Sequence, residues 1–369
     1  MLETSRAWIE IDSEKLKENY KKVADFIAPS KVMAIAKAEA YGHGAEQFCK
    51  ALNEVGCEAF AVAAPSEAIE LRKKGVKGLI FVMGYTVPEL APLICEYDIT
   101  VSAVSYSHAK AMSETGYPVK MHVAIDTGMN RLGEKFDSPL LLEEYKLPNI
   151  VITGSYSHLA MADSLTPEDK ALTDLQVKRF DETVKKITES GFNAGELHLQ
   201  ASYGIVNKTD NHYSYCRPGL LLFGIKSLEA DTVLTDLKLS PVLSARARVA
   251  SVKEVKKGEI AGYNRHFTAE KDCVIADVSL GYCDFLPRCY FQNGGYILIK
   301  GKRAKVVDLC MDQLLADVTD IDVSQGDIAT VIGKDGNEFI SAEQVALTCQ
   351  TISNEIVSRI HSRMGVVYL

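Results

Sequence analysis

Short apolar segments alternate with helical stretches through the first two thirds of the chain, and this alternation limits the folds open to it. Helical periodicity is found in residues 13–28, 66–75 and 167–191, and strands that alternate with helices imply a parallel sheet. Eight such strands within about 200 residues predict an α/β fold of the TIM type, a (β/α)8 barrel, rather than an open sheet. The predicted strands lie at Val32–Ala36, Phe60–Ala64, Leu79–Met83, Thr100–Val104, Val119–Ile125, Ile150–Tyr156, Glu196–Gln200 and Arg217–Gly224.

The pattern changes after about residue 236, where segments such as VLSARARVASVKEV and DCVIADVSLGY alternate apolar and polar residues. QNGG at 292–295 and KDGN at 334–337 are turn sequences typical of β-hairpins. We therefore predict a barrel domain over residues 1–235 and a β-rich C-terminal domain over residues 236–369, with a helix near Ala342–Glu355. Because no Pro-, Gly- or Ser-rich linker separates the two, we expect them to pack closely.

Composition argues against several classes of protein. A net charge of −8 disfavours a nucleic-acid surface, which needs clustered Lys and Arg. The sequence has no apolar run of about 18 residues and no signal-peptide pattern at its start, so we expect a soluble, cytoplasmic chain. The nine cysteines contain no CxxC pair and the eight histidines are scattered, so we predict reduced thiols and no metal site.

Polar residues follow several predicted strands. Lys37 comes directly after the apolar segment VMAIA, and a partly desolvated lysine is suited to forming a Schiff base with a carbonyl group. Taken singly, each of these residues is explained as a rim residue or an ion-pair partner. The carboxyl ends of parallel barrel strands meet at one mouth, so together they indicate an active site. The others are Asp126, Arg131, His158, His198, Ser202 and Arg217.

Seven motifs occur in the order found in pyridoxal-phosphate-dependent alanine racemases: AIAKAEAYGHG, DTGMNRLG, SHLAMAD, RPGLLLFG, GYNRHF, SLGYCDFLPR and LCMDQ. The resemblance covers essentially the whole chain. It implies pyridoxal 5'-phosphate as cofactor, a small amino acid as substrate, and a homodimer with shared active sites. It also implies a barrel joined to a β domain, which the strand pattern predicts independently.

The resemblance assigns roles to matching residues. Lys37 matches the lysine that binds the cofactor covalently and acts as one of two catalytic bases, and Tyr263 matches the second base. His158 matches the histidine that hydrogen-bonds this tyrosine. Arg217 matches the arginine facing the pyridine nitrogen, and His198 matches its hydrogen-bonding partner.

Further matches concern the cofactor phosphate and the substrate. The residues that match phosphate contacts are Tyr41, Ser202, Gly219 and Leu220. Those that match the surroundings of the substrate carboxylate and the access corridor are Arg131, Met311, Asp312 and Tyr282. In the family, the residues matching Tyr263 and Met311 reach the site from the partner subunit.

The sequence departs from the family pattern at five positions. Asn354 stands where a tyrosine lines the substrate pocket, and its smaller amide favours a substrate with a hydroxyl group, namely serine. Ala124 replaces a lysine that is often carbamylated, so a bound anion or another side chain would have to support Arg131. Asp308 replaces a frequent arginine of the access corridor and is expected to alter attraction of the substrate. The remaining departures are Glu39 and Ala201.

Several interpretations stay open at this point. The change at residue 354 resembles serine racemase domains of the vancomycin-resistance type, which supply D-amino acids for peptidoglycan precursors. In that case the chain is either a stand-alone enzyme or a cytoplasmic domain separated from an N-terminal membrane region. The main alternative is an ordinary alanine racemase. A different barrel-type pyridoxal-phosphate enzyme and a catalytically inactive cofactor-binding module are weaker alternatives, because Lys37, Tyr263 and the MDQ motif are present.

Overall fold

The strands of the first two thirds close into a parallel barrel in the computed structural model, which describes residues 5–208, 213–360 and 363–369. The barrel is closed by one interrupted strand, since Lys31–Val32 pairs with Tyr215–Arg217 while Ala34–Ile35 pairs with Ala59–Val62. The predicted barrel is therefore confirmed. Its other strands are Leu79–Val82, Thr100–Ala103, Val119–Asp126, Ile150–Tyr156 and Glu196–Ala201, and the short strand Glu134–Lys135 pairs with the end of Val119–Asp126.

Alternation along these strands divides the core into two layers. Ile35, Ala61 and Phe81 belong to a cluster inside the barrel, whereas their neighbours Phe60 and Ile80 pack in the larger core between the strands and the helices. Successive side chains of a strand point to opposite faces, so every barrel strand contributes to both layers. Polar inward residues near the carboxyl ends are thereby collected at one mouth.

Helices cover the outside of the barrel. The helix Ser13–Ile27 begins at Asp12, whose side chain accepts a hydrogen bond from Lys15 N–H, and it buries Leu16 and Val23 on one face. No helix in the described ranges is long and apolar enough to cross a bilayer. The remaining helices of this part are Ala45–Glu54, Pro65–Lys73, Ala91–Glu96, Tyr106–Glu114, Leu140–Glu144, Pro167–Glu189 and Ser202–Asn207, with a 3-10 turn at Pro88–Leu90.

The C-terminal segment forms a second, mostly antiparallel sheet built around the long strand Leu243–Val255. The first strand of the chain, Ala7–Ile11, joins this sheet between Leu243–Val255 and Gly365–Tyr368. The domain boundary between residues 235 and 236 stays a prediction. In space, the N-terminal strand Ala7–Ile11 belongs to the sheet of the C-terminal segment. Other strands of the segment are Ile260–Ala261, Phe267–Thr268, Cys273–Val278, Tyr296–Ile299, Lys302–Leu309, Leu314–Asp317, Ile328–Asp335 and Glu338–Ile340.

Two turn predictions have different outcomes. KDGN forms the predicted hairpin, with Asp335 opposite Glu338. The hairpin predicted at QNGG is wrong, because Asn293 caps the short helix Cys289–Gln292 and Gly294, with φ of 79°, leads into the next strand. Asn–Gly serves either purpose, since both need a residue with positive φ.

Two predicted elements are shorter than expected. The eighth barrel strand ends at Arg217, because Pro218 follows and Leu220–Phe223 forms a 3-10 turn. The helix predicted near Ala342–Glu355 is two helices, Ala342–Thr348 and Ser353–Ser358. Gln350, with φ of 57°, lies in the break between them.

Glu144 is an unusual component of the barrel exterior. Its side chain is buried at the end of the helix Leu140–Glu144, and neither carboxyl oxygen has a hydrogen-bond partner in the described part of the chain. Burial, and to a lesser extent the nearby Glu134, raise the pKa of Glu144 to about 9. The folded protein therefore keeps this carboxyl protonated at neutral pH.

We predict that Glu144→Gln removes a pH-dependent loss of stability. In the wild type, unfolding allows Glu144 to ionise, so stability falls as pH rises from about 4.5 towards 9, by at most about 1.4 kcal/mol per pH unit. In urea unfolding at pH 5, 6, 7 and 8, the free energy of unfolding of the variant should increase relative to that of the wild type with each step in pH. Glu143→Gln, beside it but ion-paired with Lys146, should show no such trend. Parallel pH curves for wild type and Glu144→Gln would contradict the prediction.

Candidate active site

Lys37 lies just beyond the barrel strand Ala34–Ile35, at the start of the short helical segment Lys37–Gly42. This segment is left-handed, because the four residues from Ala38 to Tyr41 have φ between 50° and 55°. None of the four is glycine, and each costs about 1–2 kcal/mol in this conformation. The surrounding structure must therefore hold the turn in place.

Two carboxylates hold this left-handed turn. Glu67 Oε1 accepts a hydrogen bond of 2.6 Å from Ala38 N–H, while its other oxygen binds backbone N–H groups at the next strand end. Glu39 Oε2 accepts from Ala45 N–H at 3.1 Å, where the following helix begins. The turn directs Lys37 and Tyr41, four residues apart, to the same cavity.

That cavity has two adjoining compartments, of about 300 Å³ and 290 Å³, at the carboxyl ends of the barrel strands. Lys37, His158 and Arg217 line both compartments. Most of the residues predicted for the barrel part of the site are therefore brought together. The first compartment also includes Tyr41, Ser202, Gly219, Leu220 and Asn354, and the second includes Ala124, Asp126 and Arg131.

The environment of Lys37 favours its neutral amine. Burial lowers the pKa of Lys37 first, and the positive charge of Arg131 lowers it further, while Glu67 opposes both effects. A neutral amine is nucleophilic and can accept a proton, whereas an ammonium can do neither.

Hydroxyl groups gather at one end of the first compartment. Ser202 Oγ accepts a hydrogen bond of 3.0 Å from Gly219 N–H. A Cβ atom on Gly219 would lie 3.2 Å from the Tyr41 hydroxyl, so a larger residue there would crowd the cavity. Burial raises the pKa of Tyr41 to about 12, so that its hydroxyl stays protonated and can donate. Such a set of hydroxyls beside a glycine suits an anion such as a phosphate.

A buried arginine also lines this compartment. The Arg217 guanidinium donates to the carbonyls of Ser157 at 2.7 Å and Leu199 at 3.0 Å. It also donates to Nδ1 of His198 at 2.8 Å and to Nδ1 of His158 at 3.1 Å. Since arginine has no acceptor, both histidines must present an unprotonated Nδ1 and carry their proton on Nε2.

Both histidines are held neutral. Burial and then the charge of Arg217 lower the pKa of His158 to about 3 and that of His198 well below its usual value. His158 lines the cavity, and its Nε2–H has no partner in the described part of the chain, so it remains available as a donor. Burial lowers the pKa of Arg217 itself to about 10, which leaves it charged at neutral pH.

His122 is a member of this network that the sequence analysis missed. It is buried, and its Nδ1 lies 2.8 Å from Nε2 of His198, so it accepts the proton that His198 donates. The strand Val119–Asp126 offered a signal, because His122 is two residues before the inward-facing Ala124 and therefore points the same way.

Four predicted residues of the C-terminal segment lie elsewhere. Tyr263, Tyr282, Met311 and Asp312 do not line either compartment within the described ranges. Tyr263 is 67% exposed and Met311 is 53% exposed, on the surface of this chain. Asp312 forms an ion pair with Arg363 at 2.7 Å. A single chain thus forms the cavity around Lys37, while Tyr263 lies outside that cavity.

Asp308 has an environment that its position in the sequence does not indicate. It is completely buried in this chain and accepts hydrogen bonds from Tyr263 N–H and from His266. Its expected effect on attraction of the substrate stays a prediction.

Comparisons with known proteins agree with this arrangement. The family model described as "Alanine racemase, N-terminal domain" matches residues 11–227, and "Alanine racemase, C-terminal domain" matches residues 242–368. An alanine racemase of Clostridium difficile 630 has a TM-score of 0.91 and 30% identity, over 99% of this chain and 96% of that one. The Bacillus anthracis alanine racemase with bound L-Ala-P has a TM-score of 0.92 and 27% identity, over 99% and 95%.

Curated relatives have three different names. An "Amino-acid racemase" of Enterococcus faecalis is 36% identical over 99% of this chain and 52% of its own length. A "Serine/alanine racemase" of Enterococcus gallinarum is 37% identical over 98% and 51%, so this chain spans about half the length of these two relatives. An "Alanine racemase" of Clostridium tetani is 35% identical over 98% and 95%. The chain belongs to the alanine racemase family, whose enzymes depend on pyridoxal phosphate.

Proposed function

We propose that the chain is an amino-acid racemase that interconverts the L and D forms of serine, and also of alanine. One observation carries this proposal: the desolvated Lys37 amine lines the same cavity as Tyr41, Ser202 and Arg217. Relatives named amino-acid racemase, serine/alanine racemase and alanine racemase support the reaction class.

The residues of the cavity fit pyridoxal phosphate. Tyr41 and Ser202, with the backbone at Gly219 and Leu220, would hold the phosphate at the hydroxyl end. Lys37 would hold the aldehyde carbon, and Arg217, oriented by His198, would face the ring nitrogen. When bound, the cofactor supplies an electron sink for the negative charge left at Cα after proton removal. Because Arg217 stays charged and only donates hydrogen bonds, it would not deliver a proton to that nitrogen.

Racemisation requires a base on each face of Cα. Lys37 supplies one base from the barrel, and we assign the other to Tyr263 of a second copy of this chain. His158 Nε2–H, free in the cavity, would donate to the oxygen of that tyrosine when it gives up its proton. The exposure of Tyr263 and Met311 supports a homodimer with shared sites, because both are unused in the chain that carries them.

The substrate carboxylate would lie in the second compartment. Arg131 lines this compartment, and Met311 and Asp312 of the second copy would approach it from the opposite side, with Tyr282 along the path of access. Ala124 provides no side chain to support Arg131, so a bound anion would take that place.

Asn354 favours serine as the substrate. It lines the first compartment, and its Oδ1 accepts a hydrogen bond of 2.6 Å from Ser227 Oγ. This contact fixes the amide and leaves the Nδ2 donors for another acceptor, such as a substrate hydroxyl. Alanine lacks that hydroxyl. The second candidate function is that of an ordinary alanine racemase, which the Clostridium tetani relative of that name supports.

We further propose that the chain works in the cytoplasm and supplies D-amino acids for peptidoglycan precursors. A role in glycopeptide resistance is part of this proposal, in which the Enterococcus gallinarum relative named serine/alanine racemase supports the pair of substrates. In that setting the chain would act as the racemase part of a protein with an N-terminal membrane region.

One prediction from this proposal concerns the substrate. With pyridoxal phosphate in D2O, the protein should exchange the α-proton of L-serine and L-alanine and form both D isomers, with serine preferred. Asn354→Tyr should lower the serine-to-alanine ratio of kcat/KM by roughly tenfold, since one pocket contact is commonly worth about 1–3 kcal/mol. Ser227→Ala should lower the ratio less, because the amide stays but loses its orientation.

The results separate three interpretations. A ratio that does not change in Asn354→Tyr would identify an ordinary alanine racemase in which Asn354 is incidental. Exchange with neither amino acid in the wild type would contradict the racemase proposal and favour a cofactor-binding module.

Another prediction from this proposal concerns the shared site. Lys37→Ala and Tyr263→Phe should each fail to racemise, while co-expression of the two should restore racemisation. A heterodimer would have one site with both bases, so random assembly should recover roughly a quarter of wild-type activity. Size-exclusion chromatography would confirm that each variant is folded and dimeric. No recovery from properly assembled mixtures would show that both bases act within one chain.

A further inference from the structure

Asp308 lies where the strand Lys302–Leu309 is irregular. The pairing with the strand Leu314–Asp317 shifts by one residue between Val306 and Asp308, as in a β-bulge. Bulges re-aim a side chain and are frequent next to functional sites. Here the bulge accompanies a carboxylate whose side chain is only 1% exposed.

Both oxygens of this carboxylate bind the loop that carries Tyr263. Oδ2 accepts a hydrogen bond of 2.7 Å from Tyr263 N–H, and Oδ1 accepts one of 3.1 Å from His266 Nδ1. The two contacts bracket the loop from residue 263 to residue 266. Hydrogen bonds to an ionised acceptor are roughly twice as strong as neutral ones, so this is a firm attachment.

The loop leaves no space between itself and the carboxylate. Gly262 has φ of 82°, and a Cβ atom there would lie 2.1 Å from Asp308 Oδ2. Asn264 and Arg265 follow with φ of 50° and 55°, a conformation that non-glycine residues adopt at a cost. The loop therefore holds an unfavourable conformation beside a buried charge that binds it at both ends.

We propose that Asp308 is a positioning residue for Tyr263. The Tyr263 ring is exposed in this chain, so its position is set by the backbone of Tyr263. Asp308 holds this backbone by accepting a hydrogen bond from Tyr263 N–H. This inference rests on the proposed function, in which Tyr263 is a base. Asp308 touches neither cavity compartment within the described ranges, so it acts through the tyrosine and not on the substrate.

The test compares Asp308→Ala with Asp308→Asn in the cofactor-loaded protein. Amide hydrogen exchange of residues 262–266 should become at least about tenfold faster in the alanine variant, because Tyr263 N–H loses its acceptor. The asparagine variant should lie between wild type and the alanine variant. Its amide oxygen can still accept from Tyr263 N–H, while its NH2 group would face His266 and leave Leu309 N–H without the acceptor that Asp308 Oδ1 provides. Asp277→Asn is the matched control and should leave the loop unchanged, because Asp277 lies on the strand Cys273–Val278, which is separated from the strand of Asp308 by Leu314–Asp317.

A second measurement separates positioning from general damage. Lys37 alone can remove a Cα proton from one enantiomer and return a deuteron from solvent to the same face. Asp308→Ala should therefore lower racemisation tenfold to a hundredfold, while exchange with retained configuration persists for that enantiomer, as in Tyr263→Phe. If Asp308→Ala does not fold, Gly262→Ala disturbs the same contact from the loop side and should give the same pattern.

Three results would overturn the proposal. One is unchanged hydrogen exchange of residues 262–266 in Asp308→Ala. Another is an Asp308→Ala variant in which racemisation and exchange with retained configuration fall by the same factor. The third is an asparagine variant as impaired as the alanine variant. If the wild type itself does not racemise, the proposed function fails, whereas the hydrogen-exchange result still reports on the anchoring of the loop.

Discussion

The buried guanidinium of Arg217 is the interaction on which the site depends. A buried charge is costly unless its hydrogen bonds are made, and Arg217 makes them to two carbonyls and two imidazoles. These acceptors come from two neighbouring strand ends, so one side chain ties three strands together at the mouth of the barrel. The same bonds set the tautomers of His158 and His198, and through His198 that of His122.

The left-handed turn after Lys37 shows how the fold supports a strained element. Four residues in the left-handed region cost several kcal/mol in total, at about 1–2 kcal/mol each. Glu67 and Glu39 offset this cost by binding Ala38 N–H and Ala45 N–H. Glu39, a departure from the expected pattern, thus has a structural use in this chain, because its carboxyl group binds the start of the following helix.

The sequence was most informative where one periodicity repeats. Alternating strands and helices predicted the barrel, and strand ends predicted that Lys37, His158 and Arg217 meet, because parallel strands end at one mouth. The left-handed turn could not be foreseen, since Ala, Glu and Tyr give no local signal for positive φ. The burial of Asp308 could not be foreseen for a similar reason. The direction of the Asp308 side chain depends on a β-bulge. This bulge is set by pairing with another strand and has no signature in the local sequence.

Within the proposed homodimer, the two bases belong to different rigid parts. Lys37 is fixed to the barrel by its turn, whereas Tyr263 is fixed to the β sheet of the C-terminal segment through Asp308. The distance between the bases is therefore set by how two chains associate rather than by folding of one chain. Any change that loosens the association acts on proton transfer even if it lies far from the cavity. Racemisation then depends on the dimerisation equilibrium. Dilution below the dissociation constant of the dimer removes activity from chains that remain folded.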